Sequence, residues 1–165
     1  MFSTNASHIT PNYLASQTPL GMQGGDPARL DRRPRAGRDR EEAAGRPRAL
    51  VVDDAPDVAE MVGMMMRVAG YEVETALSAP EALELARSDR FDVVISDIGM
   101  PVMNGYEFAE RLRLTPGYAA VPLIAVTGFT MYDDRARALT AGFDDFLAKP
   151  INTTDLLGAV ERLRK

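Results

Sequence analysis

RALVVDD, residues 48–54, decides the fold. Four apolar residues in a row, Ala49 to Val52, read as a strand buried on both faces, and the strand closes on two carboxylates. Beyond it, Val58, Met61, Val62, Met65 and Val68 recur at helical spacing. Pro56 and Asp57 suit the first turn of that helix, and Gly70 suits its stop. The run Met64-Met65-Met66 offers sulfur ligands on paper. Adjacent helical residues point in different directions, so core packing and helix surface account for it.

The same alternation repeats four times downstream. YEVET (71–75) is a second strand, and Ser78 with Glu81 has the spacing of a capping box opening a helix that ends near Ser88. DVVISD (92–97) is the third strand, and after the loop IGMPVMNG a helix spans about Tyr106 to Arg113. Asn104-Gly105 in that loop reads as a turn without chemistry. PLIAVTG (122–128) is the fourth strand, with Thr130 to Asp133 beginning a helix that stops at Gly142. DDFLAK (144–149) is the fifth, and Asn152 with Asp155 starts a last helix carrying Leu156, Leu157, Val160 and Leu163.

Five strands, each followed by a helix, define an α/β protein with a doubly wound, five-stranded parallel sheet. Strands one, three and four are continuous apolar runs, as interior strands are. Strands two and five carry charges, which suits sheet edges. The simplest right-handed arrangement is then 2-1-3-4-5, the flavodoxin-like order.

Upstream of about residue 47 the composition changes to Ser, Thr, Asn, Pro, Gly and Arg, with large apolar residues scattered. Residues 1–47 are expected to be a disordered tail, because they cannot bury enough apolar surface to offset the entropy of ordering. Arginines between Arg29 and Arg40 alternate with acids, which favours a solvated linker over a basic arm. Residues 48–165 form the expected domain. The chain has no cysteine and a single histidine, His8, which excludes disulfides, thiolate chemistry, histidine-rich metal sites and a Ser-His-Asp triad. No apolar run approaches the roughly 18 residues of a membrane span, and no signal peptide is evident. With a net charge of −5, the expectation is a cytoplasmic protein without nucleic-acid or membrane partners.

In open α/β sheets the functional crevice lies at the carboxyl ends of the strands, where the strand order switches. Strand one ends at Asp53-Asp54, strand three at Asp97, strand four at Thr127 and strand five at Lys149. Three converging carboxylates repel one another, and a hard divalent cation resolves the conflict. Mg2+ fits, with one oxygen each from Asp54 and Asp97, a third from the Gly99 carbonyl, and a coordinated water held by Asp53. A carboxylate can attack phosphorus, and the charge spread over the phosphoryl oxygens then needs positioned countercharge. Lys149 supplies a mobile cation and Thr127 a hydroxyl donor. Taken singly, Asp-Asp caps helices, lysines neutralise acids and threonines satisfy strand ends. Together, at neighbouring strand ends, they point to a phosphoryl site.

LVVDD (50–54), ISDIGMPVMNG (95–105), VTG (126–128) and FLAKP (146–150) resemble the receiver domain of two-component response regulators, the chemotaxis-receiver-like family, over about residues 48–165. The resemblance implies that Asp97 accepts a phosphoryl group from the phosphohistidine of a histidine kinase or histidine phosphotransfer protein, or from a small phosphodonor. It further implies that Mg2+ is required and that the Lys149-Pro150 peptide is cis. It implies a switch in which the Thr127 hydroxyl turns toward the phosphoryl group and Phe146 moves inward, altering the face made by the fourth helix, fifth strand and fifth helix. Many relatives have Tyr where Phe146 stands. Gly128 replaces a common alanine. Gly99 admits water to the site while Phe129 shields it, so the phosphoryl lifetime stays open.

On this reading the chain catalyses only its own phosphorylation and dephosphorylation. It carries no output domain and acts as a monomer or weak homodimer. An aspartyl phosphatase would use a second Asp two residues after the nucleophile, where this chain has Gly99. A scaffold that only docks would not need the complete acid set.

Overall fold

The computed structural model describes residues 45–128 and 132–164. Strands β1 (Arg48–Val52), β2 (Glu72–Ala76), β3 (Val93–Asp97), β4 (Leu123–Thr127) and β5 (Asp145–Ala148) alternate with helices α1 (Pro56–Val68), α2 (Ala79–Ser88), α3 (Gly105–Leu114), α4 (Tyr132–Ala141) and α5 (Thr153–Leu163). All four pairings are parallel, and the order is β2-β1-β3-β4-β5. The edge assignment made from charge therefore holds: β1, β3 and β4 are interior and almost wholly buried.

Alternation along the strands sorts side chains onto two cores. Leu50, Val52, Val94 and Ala125 face one cluster with Phe108, Leu112 and Tyr118. Ala49, Val51, Ile95 and Val126 face the other with Val62, Met66, Leu156 and Val160. A fully buried Leu or Ile such as Leu50, Ile95 or Ile124 stabilises by roughly 1.5–3 kcal/mol. A surface ion pair is worth under about 1 kcal/mol. Packing on both faces, then, holds the sheet.

The helices begin where the side chains supply caps. The Oδ1 of Asn152 accepts the Asp155 N–H at 2.8 Å, and the Ser78 hydroxyl accepts the Glu81 N–H at 3.3 Å. The return bond of the second cap goes from the Leu77 N–H to Glu81 at 2.8 Å, one residue earlier than a capping box places it. Asn104-Gly105 needs a correction. Asn104 is the N-cap of α3, accepting the Glu107 N–H at 3.0 Å, and Gly105 is already helical. In the methionine run, Met64 is exposed, Met65 half-buried and Met66 buried, as the helical directions require. Gly70 follows α1 with φ +93°, a conformation that favours glycine.

At the amino ends of the strands, charge is tightly paired. Arg48 reaches Asp89 at 3.0 Å and Glu74 at 3.3 Å, while its N–H donates to Asp92 at 2.7 Å. Arg113, on α3, donates to the carbonyls of Tyr118, Val121 and Gly142 and to Asp144, all within 2.9 Å. One guanidinium thus ties α3 to the approaches of β4 and β5. The Tyr118 hydroxyl, in a buried side chain, donates to the Asp89 carbonyl at 2.8 Å, and burial raises its pKa.

No helix among the described residues is long and apolar enough to cross a membrane. The expected tail lies outside the described residues up to position 44, as do His8, Phe129 and Thr130.

Candidate functional site

Parallel register brings the carboxyl ends of the strands level. Val52 pairs with Ser96, Asp97 with Val126 and Thr127 with Ala148. Asp97 is the last residue of β3, Thr127 the last of β4, and Lys149 the first residue beyond β5. Asp53 and Asp54 follow β1. Carboxylate oxygens of Asp53, Asp54 and Asp97 lie within 4.8 Å of one another. Asp53 and Asp97 are buried, whereas Asp54 is exposed.

Lys149 closes the cluster from the β5 side. Its Nζ donates to Asp53 Oδ2 at 2.7 Å and reaches Asp97 Oδ1 at 3.0 Å. Its backbone N–H donates to the Thr127 carbonyl at 2.8 Å, and the Lys149-Pro150 peptide is cis. Burial works to lower the lysine pKa, but the bonds to Asp53 and Asp97 outweigh it, so the ammonium titrates above its ordinary range. Asp97 moves the other way from a typical paired acid. Burial raises its pKa, and the Lys149 ammonium and the Gly99 N–H offset only part of that effect.

The oxygens divide by availability. Asp53 has both engaged, Oδ1 by the Ala55 N–H at 2.9 Å and Oδ2 by Lys149. Asp54 is free to turn, and Asp97 presents a carboxylate to the cleft. Opposite ligands of a magnesium-sized ion stand about 4.2 Å apart, so the three acids need only small rotations to share one. The donor set is all oxygen, which suits a hard cation and no soft metal.

Gly99 sits against the site through its N–H bond to Asp97. Thr127 is almost fully buried beside Lys149. Phe146 is the second residue of β5. It is half-buried on β5, pairs with Ala125 in register and packs on the cluster containing Tyr106 and Ala138. Gly105 has a role the sequence did not reveal. A Cβ there would lie 2.4 Å from the Asp97 carbonyl oxygen, and its N–H donates to Ile98 at 2.9 Å. The start of α3 is thereby pressed against the backbone that carries Asp97. The Asn-Gly pair was the available signal, since glycine before a helical run also marks close backbone approach.

A doubly wound parallel sheet with three acids and a lysine gathered at its switch point is the architecture of a signal receiver domain. Residues 49–161 match the response regulator receiver domain, and the chain belongs to that family. It is 38% identical over 117 residues to the transcriptional regulatory protein PrrA of Mycobacterium tuberculosis, a match covering 71% of this chain and 49% of PrrA. The chain therefore spans about half the length of that relative. Among solved structures, the chemotaxis protein CheY4 of Vibrio cholerae superposes with a TM-score of 0.69 at 38% identity, covering 72% of this chain and 98% of CheY4. The receiver domain of the sensor histidine kinase PA1611 from Pseudomonas aeruginosa gives 0.66 at 31% identity, covering 71% and 96%. That protein holds a magnesium ion in its active-site cleft.

Proposed function

We propose that this chain is a phospho-accepting response regulator in which Asp97 takes a phosphoryl group from the phosphohistidine of a histidine kinase or histidine phosphotransfer protein. An Oδ of Asp97 forms the new O–P bond while the donor N–P bond breaks, and the electron pair leaves on the imidazole nitrogen. The carrying observation is the convergence of three carboxylate oxygens within 4.8 Å, with Lys149 3.0 Å from Asp97.

Asp54, Asp97 and the Gly99 carbonyl would hold Mg2+ directly, and Asp53, its oxygens already engaged, would act through a bound water. Bound there, Mg2+ supplies countercharge to the phosphoryl oxygens and offsets the repulsion among the acids. Lys149 would leave Asp97 and follow the incoming oxygens as a flexible point charge. Thr127 would donate its hydroxyl to them. Movement of Thr127 and Phe146 would then bias the α4-β5-α5 face toward a downstream protein, as a two-state element biased by one new charged group. The domain would occupy residues 48–165, work in the cytoplasm as a monomer or weak homodimer, and turn over nothing but its own aspartyl phosphate.

The test is intact mass after incubation with Mg2+ and acetyl phosphate. A labile adduct of one phosphoryl group is expected in the wild type and absent from Asp97→Asn. Steady release of phosphate from many equivalents of a phosphoester would instead mark a phosphatase, and an inert chain would mark a scaffold.

A further inference from the structure

Exposed apolar surface is concentrated on one helix. Among the described residues, Met61, Met64 and Val68 of α1 are exposed large apolar side chains, and half-buried Met65 borders them. Their spacing of three and then four residues puts Met61, Met64 and Val68 on one side of the helix. The opposite side is already in use, since Ala59, Val62 and Met66 are buried in the core beneath. The outer stripe lines a groove of about 270 Å3, together with Thr153, the first residue of α5.

The charges beside the stripe are divided along the helix axis. Asp57 and Glu60 lie toward its amino end and Arg67 in its last turn, and all three are exposed. Within one molecule Arg67 reaches back along α1 to Glu60 at 2.7 Å, yet the two side chains stay 42% and 57% exposed. An exposed pair of this kind contributes little and can exchange partners readily. A helix with an acidic start, a basic end and an apolar stripe between them is complementary to itself turned end for end. Rotation by a half turn about an axis near Met64 lays stripe on stripe. Arg67 then meets the acidic half of the other helix, and the helix dipoles oppose one another. A membrane surface would need a basic rim, which Asp57 and Glu60 deny it.

From this self-complementarity we infer that α1 is the contact surface of a two-fold symmetric homodimer, two copies of the helix packing antiparallel through Met61, Met64 and Val68. Methionine adapts its shape to irregular surfaces, which suits a seam made by one helix against its own copy. About two turns per copy make a small contact, so the pair assembles weakly, half dimeric at roughly 100 μM. The inference selects the dimer and its surface where the functional reading leaves monomer or dimer open. It stands whether or not Asp97 accepts a phosphoryl group.

Sedimentation equilibrium of the full chain between about 5 and 500 μM tests it, with circular dichroism to verify folding. The wild type should pass reversibly from monomer to dimer. Met64→Glu and Val68→Glu, both at exposed positions, should each weaken the dimer at least tenfold. Glu60→Arg alone and Arg67→Glu alone set like charges against each other across the axis, so each should weaken it about tenfold. Mixed in equal amounts, these two charge variants should pair with wild-type affinity, because each supplies the charge that the other needs. A parallel pair, or contact through another face, would give no such recovery. A wild type that stays monomeric at the highest concentration overturns the inference and leaves the stripe to a different protein. Dimerisation undiminished by both Met64→Glu and Val68→Glu overturns it too, as does a mixture that fails to pair. Failure of acetyl phosphate to label the chain would overturn the functional reading and leave the dimer untouched.

Discussion

The two ends of the sheet solve opposite electrostatic problems. At the amino ends, Arg48 and Arg113 bind carboxylates and carbonyls drawn from three loops, and the charges there are matched by partners close at hand. At the carboxyl ends, three acids cluster around a single ammonium that pairs with two of them, Asp53 and Asp97. The first end is finished and stabilises the fold. The second is left short of positive charge, and the deficit creates its demand for a cation or another positive group. Stability and reactivity are thus kept about a strand length apart, roughly 17 Å, and can be altered separately.

Arg113→Met is the sharpest way to break the finished end. The carbonyls of Tyr118, Val121 and Gly142 would lose their shared donor and Asp144 its cation. Each orphaned acceptor costs on the order of 1 kcal/mol where water can partly replace the donor, so urea denaturation should show a loss of about 3 kcal/mol. Phosphorylation by acetyl phosphate, read in the surviving folded fraction, should be unaltered. A loss below about 1 kcal/mol would mean that water substitutes for the guanidinium throughout.

Lys149→Ala acts on the unfinished end. It leaves Asp53 and Asp97 buried without their cation, and removing one partner of a buried pair is costly. Asp54 and the open cleft let water and ions in, so the expected loss without added magnesium is smaller, roughly 2 kcal/mol. Magnesium should recover part of it, because a second cation can take the place of the first. Equal destabilisation with and without magnesium would show that the lysine contributes packing and not charge.

The difference between the two ends also explains what the sequence disclosed. Interior and edge strands were legible because burial on two faces demands unbroken apolar runs, and RALVV and DVVIS have them where EVETA does not. The acidic site was legible because its residues sit at fixed offsets from those runs, one step past the strand. Arg113 was not. Apart from Asp144, its partners are backbone carbonyls, which every residue possesses, so no side-chain pattern announces them. Asn104-Gly105 gave a true local signal with the wrong range. The pair suits a turn and a helix cap equally, and only the packing of α3 against Asp97 selects the cap.

The smallest expected effect is the most diagnostic, because its sign runs against the usual result of removing a paired charge. Asp97 has its pKa raised by burial despite Lys149. The folded state therefore holds the Asp97 proton more tightly than the unfolded chain does. That preference favours folding fully below the unfolded carboxylate value of about 3.9, and the advantage is lost as pH rises through the folded value. Once ionised, the carboxylate is a net burden on the fold. Asp97→Asn removes the charge, keeps the shape and leaves Lys149 paired with Asp53 at 2.7 Å. Without magnesium the variant should therefore be more stable than the wild type at pH 7, by roughly 1 kcal/mol, the scale on which single substitutions act. The gap should narrow toward pH 4, where the wild-type acid regains its proton, and shrink when magnesium is added, since the dication favours the charged form. Paired urea melts at pH 4 and pH 7, with and without magnesium, measure all four corners. A variant less stable than the wild type at pH 7 would mean that Lys149 more than compensates Asp97, and the carboxyl end of the sheet would then be as finished as the amino end.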